Sequence, residues 1–197
     1  MHKGFYYKLA FTNLGKNRKF YLPYMLSCIL MVMLHFILCS LSYTDTWQTI
    51  PESAIVYTIL NLGCYVVEIF ALILLFYTNG FLMKRRKREF GLYNVLGMEK
   101  RHIGRVLFWE TFFAFSASIL VGLGLGILLS KLAELLLCNM LQFEIRYAWE
   151  FIPRAFLRTG SIFLLYAALM LLHSLWQLRK AKPVELLHSV SAGEREP

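Results

Sequence analysis

Charge is scarce in this sequence: Asp, Glu, Lys and Arg make up 17% of its 197 residues, against about 25% in an ordinary soluble domain. So little polar surface excludes a water-soluble globular fold and puts the chain in a membrane. Nucleotide-binding signatures are missing too. No G-x-x-x-x-G-K-[ST] phosphate loop occurs, because Gly15-Lys16 has Ala10 where the first glycine belongs, and the chain does not bind a nucleotide by that route. H-E-x-x-H, G-x-S-x-G and C-x-x-C are absent, and the five histidines are scattered, so no hydrolase or metal-site chemistry is supported. The four cysteines have no metal-ligand spacing. Cys28, Cys39 and Cys64 fall within apolar runs and Cys138 outside them, and small buried hydrophobes is the ordinary reading of such free thiols.

Hydrophobic residues, by contrast, make up 58% of the chain, with a mean hydropathy of +0.54. A hydrocarbon core of about 30 Å is crossed by roughly 20 apolar helical residues. Four runs satisfy this: Tyr21 to Tyr43, Ile55 to Met83, Val106 to Ser130 and Ala155 to Leu178. They lack the polar/apolar alternation of barrel strands, and a backbone in lipid must satisfy its own hydrogen bonds, so they are read as helices. The expected fold is an all-α membrane protein with four transmembrane helices. Residues 1–20 form an N-terminal segment, 21–178 the four-helix module and 179–197 a tail. "FYYKLAF" is expected as a short surface helix leading into the first span at Pro23. That span is too long, with no small-residue cleavage site after it, for a removed leader, and is expected to act as a signal anchor. The loops after the first and third runs, about 11 and 24 residues, leave no room for a sizeable folded domain.

Orientation follows from the Lys and Arg in short flanks and loops. The N-terminal flank carries five (Lys3, Lys8, Lys16, Arg18, Lys19), the loop between runs two and three eight (84–88, 100, 101 and 105), and the C-terminal flank four (Arg179, Lys180, Lys182, Arg195). The loop after run one has none, and that after run three has Lys131, Arg146 and Arg154. This alternation predicts both termini and the basic loop on the cytoplasmic side, in the cell membrane. The net charge of +9 is then mainly topological, with attraction to anionic lipid second; nucleic acid is not expected as a partner.

The basic loop also has a pattern. Leu92, Val95 and Leu96 recur at i, i+3 and i+4, with Phe90 and Tyr93 on an adjoining strip, which predicts an amphipathic cytoplasmic helix from Arg85 to Leu96. Gly97 is its natural stop, and a second run from Glu99 leads into the third span. Glu89 is within reach of Arg85 and Arg86 one turn back. Two uses fit the pattern: a helix resting in the headgroup layer, or a lever whose apolar patch docks on a cytoplasmic partner.

"RKREFGLYNVLGMEKRHIGRVLFWE" resembles the cytoplasmic segment of FtsX-like ABC transporter permeases. "EFGLYNVLGM" is most similar to the BceB type, the permeases of bacitracin and antimicrobial-peptide resistance. "LAFTNLGKNRKFYLPYMLS" resembles the start of those proteins, and "LRKAKPVELLH" the close of their first four-helix module. The resemblance implies that the segment between helices two and three contacts a separately encoded ATPase, with Glu89, Phe90, Gly91, Leu92, Tyr93, Leu96, Gly97 and Met98 as its coupling surface. ATP would then be bound by the partner and no cofactor by this chain. It further implies a peptide antibiotic or lipid-linked substrate, a second permease module or half as companion, and a sensor histidine kinase as a further candidate partner. BceB-type permeases resemble a duplicated ten-helix arrangement with a large external domain, so four helices imply a fragment, a split permease or a remnant. A non-transporting scaffold that passes ATP-driven motion to an external enzyme or kinase is the alternative within the resemblance.

Within the spans, Ala114, Ser118, Gly122, Gly126 and Ser130 place a small residue at every fourth position, which predicts a close helix contact. Glu68 falls mid-helix, where a charge costs at least about 2.5 kcal/mol, so it needs a partner; His35, Arg158 and His173 are the candidates by type. A structural polar contact and a proton-coupled export role are the two readings of Glu68. Glu110 lies one turn inside helix three and is expected to anchor the joint to the basic loop. Asn61, Asn79 and Gly80 are expected to loosen helix two. Tyr21, Tyr24, Trp47, Trp109, Trp149 and Trp176 are expected as interfacial anchors.

Overall fold

The computed structural model describes residues 5–44, 53–95, 97–141 and 152–180, and every regular element among them is helical. In chain order these are α1 (Phe5–Lys16), α2 (Arg18–Tyr43), α3 (Ser53–Val95), α4 (Lys100–Leu141) and α5 (Pro153–Lys180). α2, α3, α4 and α5 are each long and apolar enough to cross a membrane, so the chain is an all-α, multi-pass membrane protein. The tail from residue 181, Trp47 and Trp149 lie outside the described residues.

Helix ends depart from the hydropathy limits, for physical reasons. The chain turns at Asn17, whose backbone carbonyl accepts the Phe20 and Tyr21 amides at 2.9 and 3.2 Å and so opens the hydrogen-bond ladder of α2. α2 thus starts before Tyr21 and carries Pro23 inside it. The amphipathic stretch from Arg85, expected as a separate helix, is the continuation of the second span: α3 runs unbroken for 43 residues. Lys and Arg propagate a helix nearly as well as leucine, whereas a stop at the polar boundary would orphan backbone carbonyls. α4 likewise passes Ser130 to reach Leu141, helped by Lys131 pairing with Glu134 one turn on at 3.0 Å. Cys138 is therefore a buried residue of α4.

The helices divide between two compact units. Among the described residues, the first takes those up to Met25, Leu75–Ser116 and those from Ala167 onward. Its core is Met83, Phe90, Ile103, Leu107 and Leu178, with Tyr93, Met98 and Leu175 against them; Ala10 of α1 packs on Val106 beside Leu9 and Trp109. Asn79 donates to Ser174 at 3.0 Å in this unit, tying α3 to α5 where a loosened helix was expected.

The second unit comprises Leu26–Leu74 and Ala117–Tyr166. Here α4 meets α2 at close range: a Cβ on Gly122 would lie 2.8 Å from Val32 Cβ and 3.0 Å from the Ile29 carbonyl oxygen, and one on Gly126 3.0 Å from the Phe36 ring. The small-residue stripe is thus a contact within this chain. Ser118 is buried in the same unit and Ala114 in the first, while Ser130, half-buried, donates to its own helix at Ile127. α3 presents Ile59, Leu62, Val66, Ile69 and Ile73 outward, which suits hydrocarbon surroundings.

Candidate coupling site and intramembrane polar cluster

The candidate coupling segment is built from the last turns of α3, the turn at Gly97 and the start of α4. Along α3 the buried positions 75, 79, 82, 83, 86 and 90 keep helical spacing, so one side of the helix continues inward beyond the apolar run. Arg86 falls on that side and is 2% exposed, while Lys84 and Arg85 face outward. Arg85 instead lies over the Phe20 and Phe81 rings at 5.4 and 5.7 Å.

A buried cation needs an anion and hydrogen-bond acceptors. Arg86 Nη2 bonds Glu110 Oε2, and its Nη1 donates to Glu89 Oε2 at 2.8 Å. Its guanidinium carbon is 5.6 Å from the Tyr21 ring centroid and 5.3 Å from that of Phe90, a range in which aromatic faces attract cations. Glu110, wholly buried, also accepts from Asn13 Nδ2 and from the Tyr21 hydroxyl, each at 3.0 Å. Asn17 donates to Glu89 and Asn13 to the Tyr93 hydroxyl. One ion pair with its hydrogen bonds therefore joins α1, α2, α3 and α4.

α3 ends by a left-handed glycine. Gly97 has φ 85°, and the Met98 amide donates to the Tyr93 carbonyl at 2.9 Å, the six-to-one bond of a Schellman closure. Glu99 opens α4, its carbonyl accepting the His102 and Ile103 amides at 2.9 and 3.3 Å. The segment thus sorts by exposure. Phe90 and Gly91 are buried within the chain, Glu89, Tyr93 and Met98 are half-buried, Gly97 is exposed and Leu92 is 61% exposed; Leu96 lies outside the described residues. Leu92, not Phe90, faces outward here.

Asn13 and Asn17 are the members that pattern-reading missed; Tyr21, expected as an interfacial anchor, is buried instead, and Arg86, expected only as a partner of Glu89, bonds Glu110 as well. Extending the buried face of the second span into the basic run identifies Arg86; nothing local marks the two asparagines.

A second polar cluster lies in the other unit. Glu68 Oε1 accepts from Arg158 Nη2 and pairs with His35 Nε2, both at 3.0 Å. Arg158 Nη1 donates to Asn61 Oδ1 at 2.8 Å and to the Tyr43 hydroxyl at 3.3 Å, and its guanidinium lies over Tyr65 at 5.1 Å. His35 Nδ1 is 2.9 Å from Thr159 Oγ1, so the tautomer protonated at Nε2 satisfies both ring nitrogens. Tyr166 donates to the Glu68 carbonyl at 3.0 Å. His35 and Arg158 are both partners of Glu68, as their types suggested; His173 bonds Gln177 instead. Asn61 holds Arg158 rather than loosening α3. Cys39 and Cys64 approach to 3.4 Å between sulfurs beside this cluster, as free thiols.

The class these features define is a helical membrane protein whose polar groups are spent on joining helices. Residues 61–183, more than half of the chain, match the family described as FtsX-like permease C-terminal, and the chain belongs to the FtsX-like permeases, which are membrane transport proteins and not enzymes. It is similar to the ABC transporter permease YvcS of Bacillus subtilis, at 28% identity over 96% of this chain and 30% of that protein. It is also similar to the bacitracin export permease protein BceB of Halalkalibacterium halodurans, at 25% identity over 94% of this chain and 29% of that protein. The BceB of Bacillus subtilis is 28% identical over 95% of this chain and 29% of its own length. The chain spans about three tenths of the length of these relatives.

Proposed function

We propose that this chain is a membrane module of an ABC transporter of the cytoplasmic membrane, with the α3–α4 turn facing the cytoplasm and docked on a separately encoded ATPase that alone binds ATP. In this reading the Arg86–Glu110 joint makes the end of α3, the start of α4 and the α1–α2 elbow move together, so a push on the exposed turn becomes displacement of the helices. The observation that carries it is the pairing of a buried, multiply hydrogen-bonded ion pair with an outward Leu92 on the same helix end: a stiff base and an apolar contact point. Handling of a peptide antibiotic or lipid-linked substrate is supported by the likeness to bacitracin export permeases, and a second permease module is the natural companion of a four-helix unit.

Glu68 reads as part of a structural lock, because its carboxylate is shared by Arg158 and His35, and every member has a hydrogen-bond partner. The docking reading is tested with Leu92→Asp in intact membranes. The variant is expected to insert normally and to lose co-purification of the ATPase; insertion with undiminished co-purification contradicts it.

A further inference from the structure

Between the first turns of α4 and the last turns of α5, within one unit, lies an open groove of about 510 Å³. Its rim is cationic, with Lys100, Arg101 and Arg105 on the α4 side and Arg179 on the α5 side, and none of the residues lining it is acidic. Its floor is apolar: Gly104, Phe108, Leu175 and Leu178. The space exists because position 104 has no side chain. A Cβ there would already touch the Leu175 and Leu178 methyls at 3.6 and 3.7 Å, so anything larger would occupy the groove. Arg101, Arg105, Phe108 and Arg179 are exposed.

Each half of this surface rejects a different ligand. A small inorganic anion would pair with the cations and leave the apolar floor wet. An uncharged or zwitterionic lipid would cover the floor but bring no net negative charge to the cationic rim. An anionic amphiphile satisfies both, its phosphate taken by charge-assisted bonds from arginines and its chain laid on Phe108 and the leucines. On the same last turns of α5, Lys180 lies 5.0 Å from the Trp176 ring, a pairing of residue types common at the headgroup level.

We propose that this groove is a binding site for an anionic phospholipid of the leaflet that faces the basic segments. The headgroup phosphate sits among Arg101, Arg105 and Arg179, and the proximal acyl chain lies over Gly104 against Phe108 and Leu178. Lipid bound there bridges the start of α4 to the end of α5 without using any group of the Arg86–Glu110 joint, so the proposal stands apart from the docking reading.

The full chain is reconstituted in phosphatidylcholine vesicles containing a phosphatidylglycerol with a photoreactive diazirine in its acyl chain, irradiated, digested and mapped by mass spectrometry. Adducts are expected on the α4 peptide containing Phe108 and on the end of α5, and unlabelled phosphatidylglycerol competes them away. A several-fold loss is expected in Arg101→Gln/Arg179→Gln, and also in Gly104→Trp, which keeps every charge but fills the groove. If the tryptophan variant does not insert, the glutamine pair, at exposed positions, decides. Equal labelling by a diazirine phosphatidylcholine, or labelling unchanged in the variants, overturns the proposal; abolition by inorganic phosphate overturns it in favour of a small-anion site.

Discussion

Replacing Glu110 by leucine removes a buried anion while nearly keeping its volume, so the cavity contribution is small and the electrostatic loss dominates. Three donors lose the Glu110 carboxylate, Arg86 Nη2, Asn13 Nδ2 and the Tyr21 hydroxyl, and of these Asn13 keeps a longer bond to the Tyr93 hydroxyl. Arg86 keeps Glu89 at 2.8 Å, but that carboxylate is one-third exposed, and Arg86 Nε already lacks a hydrogen-bond partner among the described residues. Breaking a buried pair by removing one partner costs about 3–5 kcal/mol. Retention of Glu89 places Glu110→Leu near the lower end, at about 3 kcal/mol. Arg86→Met leaves Glu110 with two of its three donors and is expected to cost about 2 kcal/mol. In Arg86→Met/Glu110→Leu neither charge remains to be stranded. The two costs should then fail to add, by an interaction energy of at least about 2 kcal/mol. Reversible unfolding in mixed micelles, followed by circular dichroism on the three variants, measures this cycle. Single costs that add to within about 0.5 kcal/mol would refute the reasoning, since residues sharing one network are expected to couple.

At the α2–α4 contact, Gly122→Ala pushes a methyl into Val32 and the Ile29 carbonyl and is expected to cost about 1–3 kcal/mol in the same unfolding assay. Val32→Ala should recover part of that, while Gly160→Ala, with nothing within 4 Å, serves as the neutral control; equal effects at both glycines would contradict a tight contact. Glu68→Leu leaves Arg158 with neutral partners only and should lower the fraction of chains in which α5 is protected from protease in membranes. Glu68→Leu/Arg158→Leu should restore that fraction, and wild-type protection in the single variant would argue against the lock.

Four membrane crossings, the stop at Gly97 and the partners of Glu68 were legible in the sequence, because each rests on a local quantity: apolar run length, glycine's access to positive φ, the cost of a lone intramembrane charge. The helix ends were not. Hydropathy finds the bilayer, whereas a helix continues as long as its backbone bonds and side-chain pairs favour it, which is why α3 extends through its basic run and α4 passes Lys131. The joint was half legible. Glu110 stands out as an acid in an apolar run, yet its partner Arg86 is hidden among five consecutive cations and is singled out only by helical phase. Asn13 and Asn17 are ordinary polar residues of an N-terminal segment until α1 folds against α4. The stripe from Ala114 to Ser130 announced a close approach without saying to what, since spacing carries no information about the partner. α2 supplies that partner at Val32 and Phe36.

The central claim is that the outward face at the end of α3 meets an ATPase, and a photo-crosslinking amino acid at Leu92 in membranes of the native source tests it most directly. Capture of an ABC-type ATPase at position 92, and of only this chain's own peptides when the same group is placed at buried Phe90, is the predicted result. Adducts with lipid alone at position 92 would contradict the account and leave the basic segment as a topological anchor.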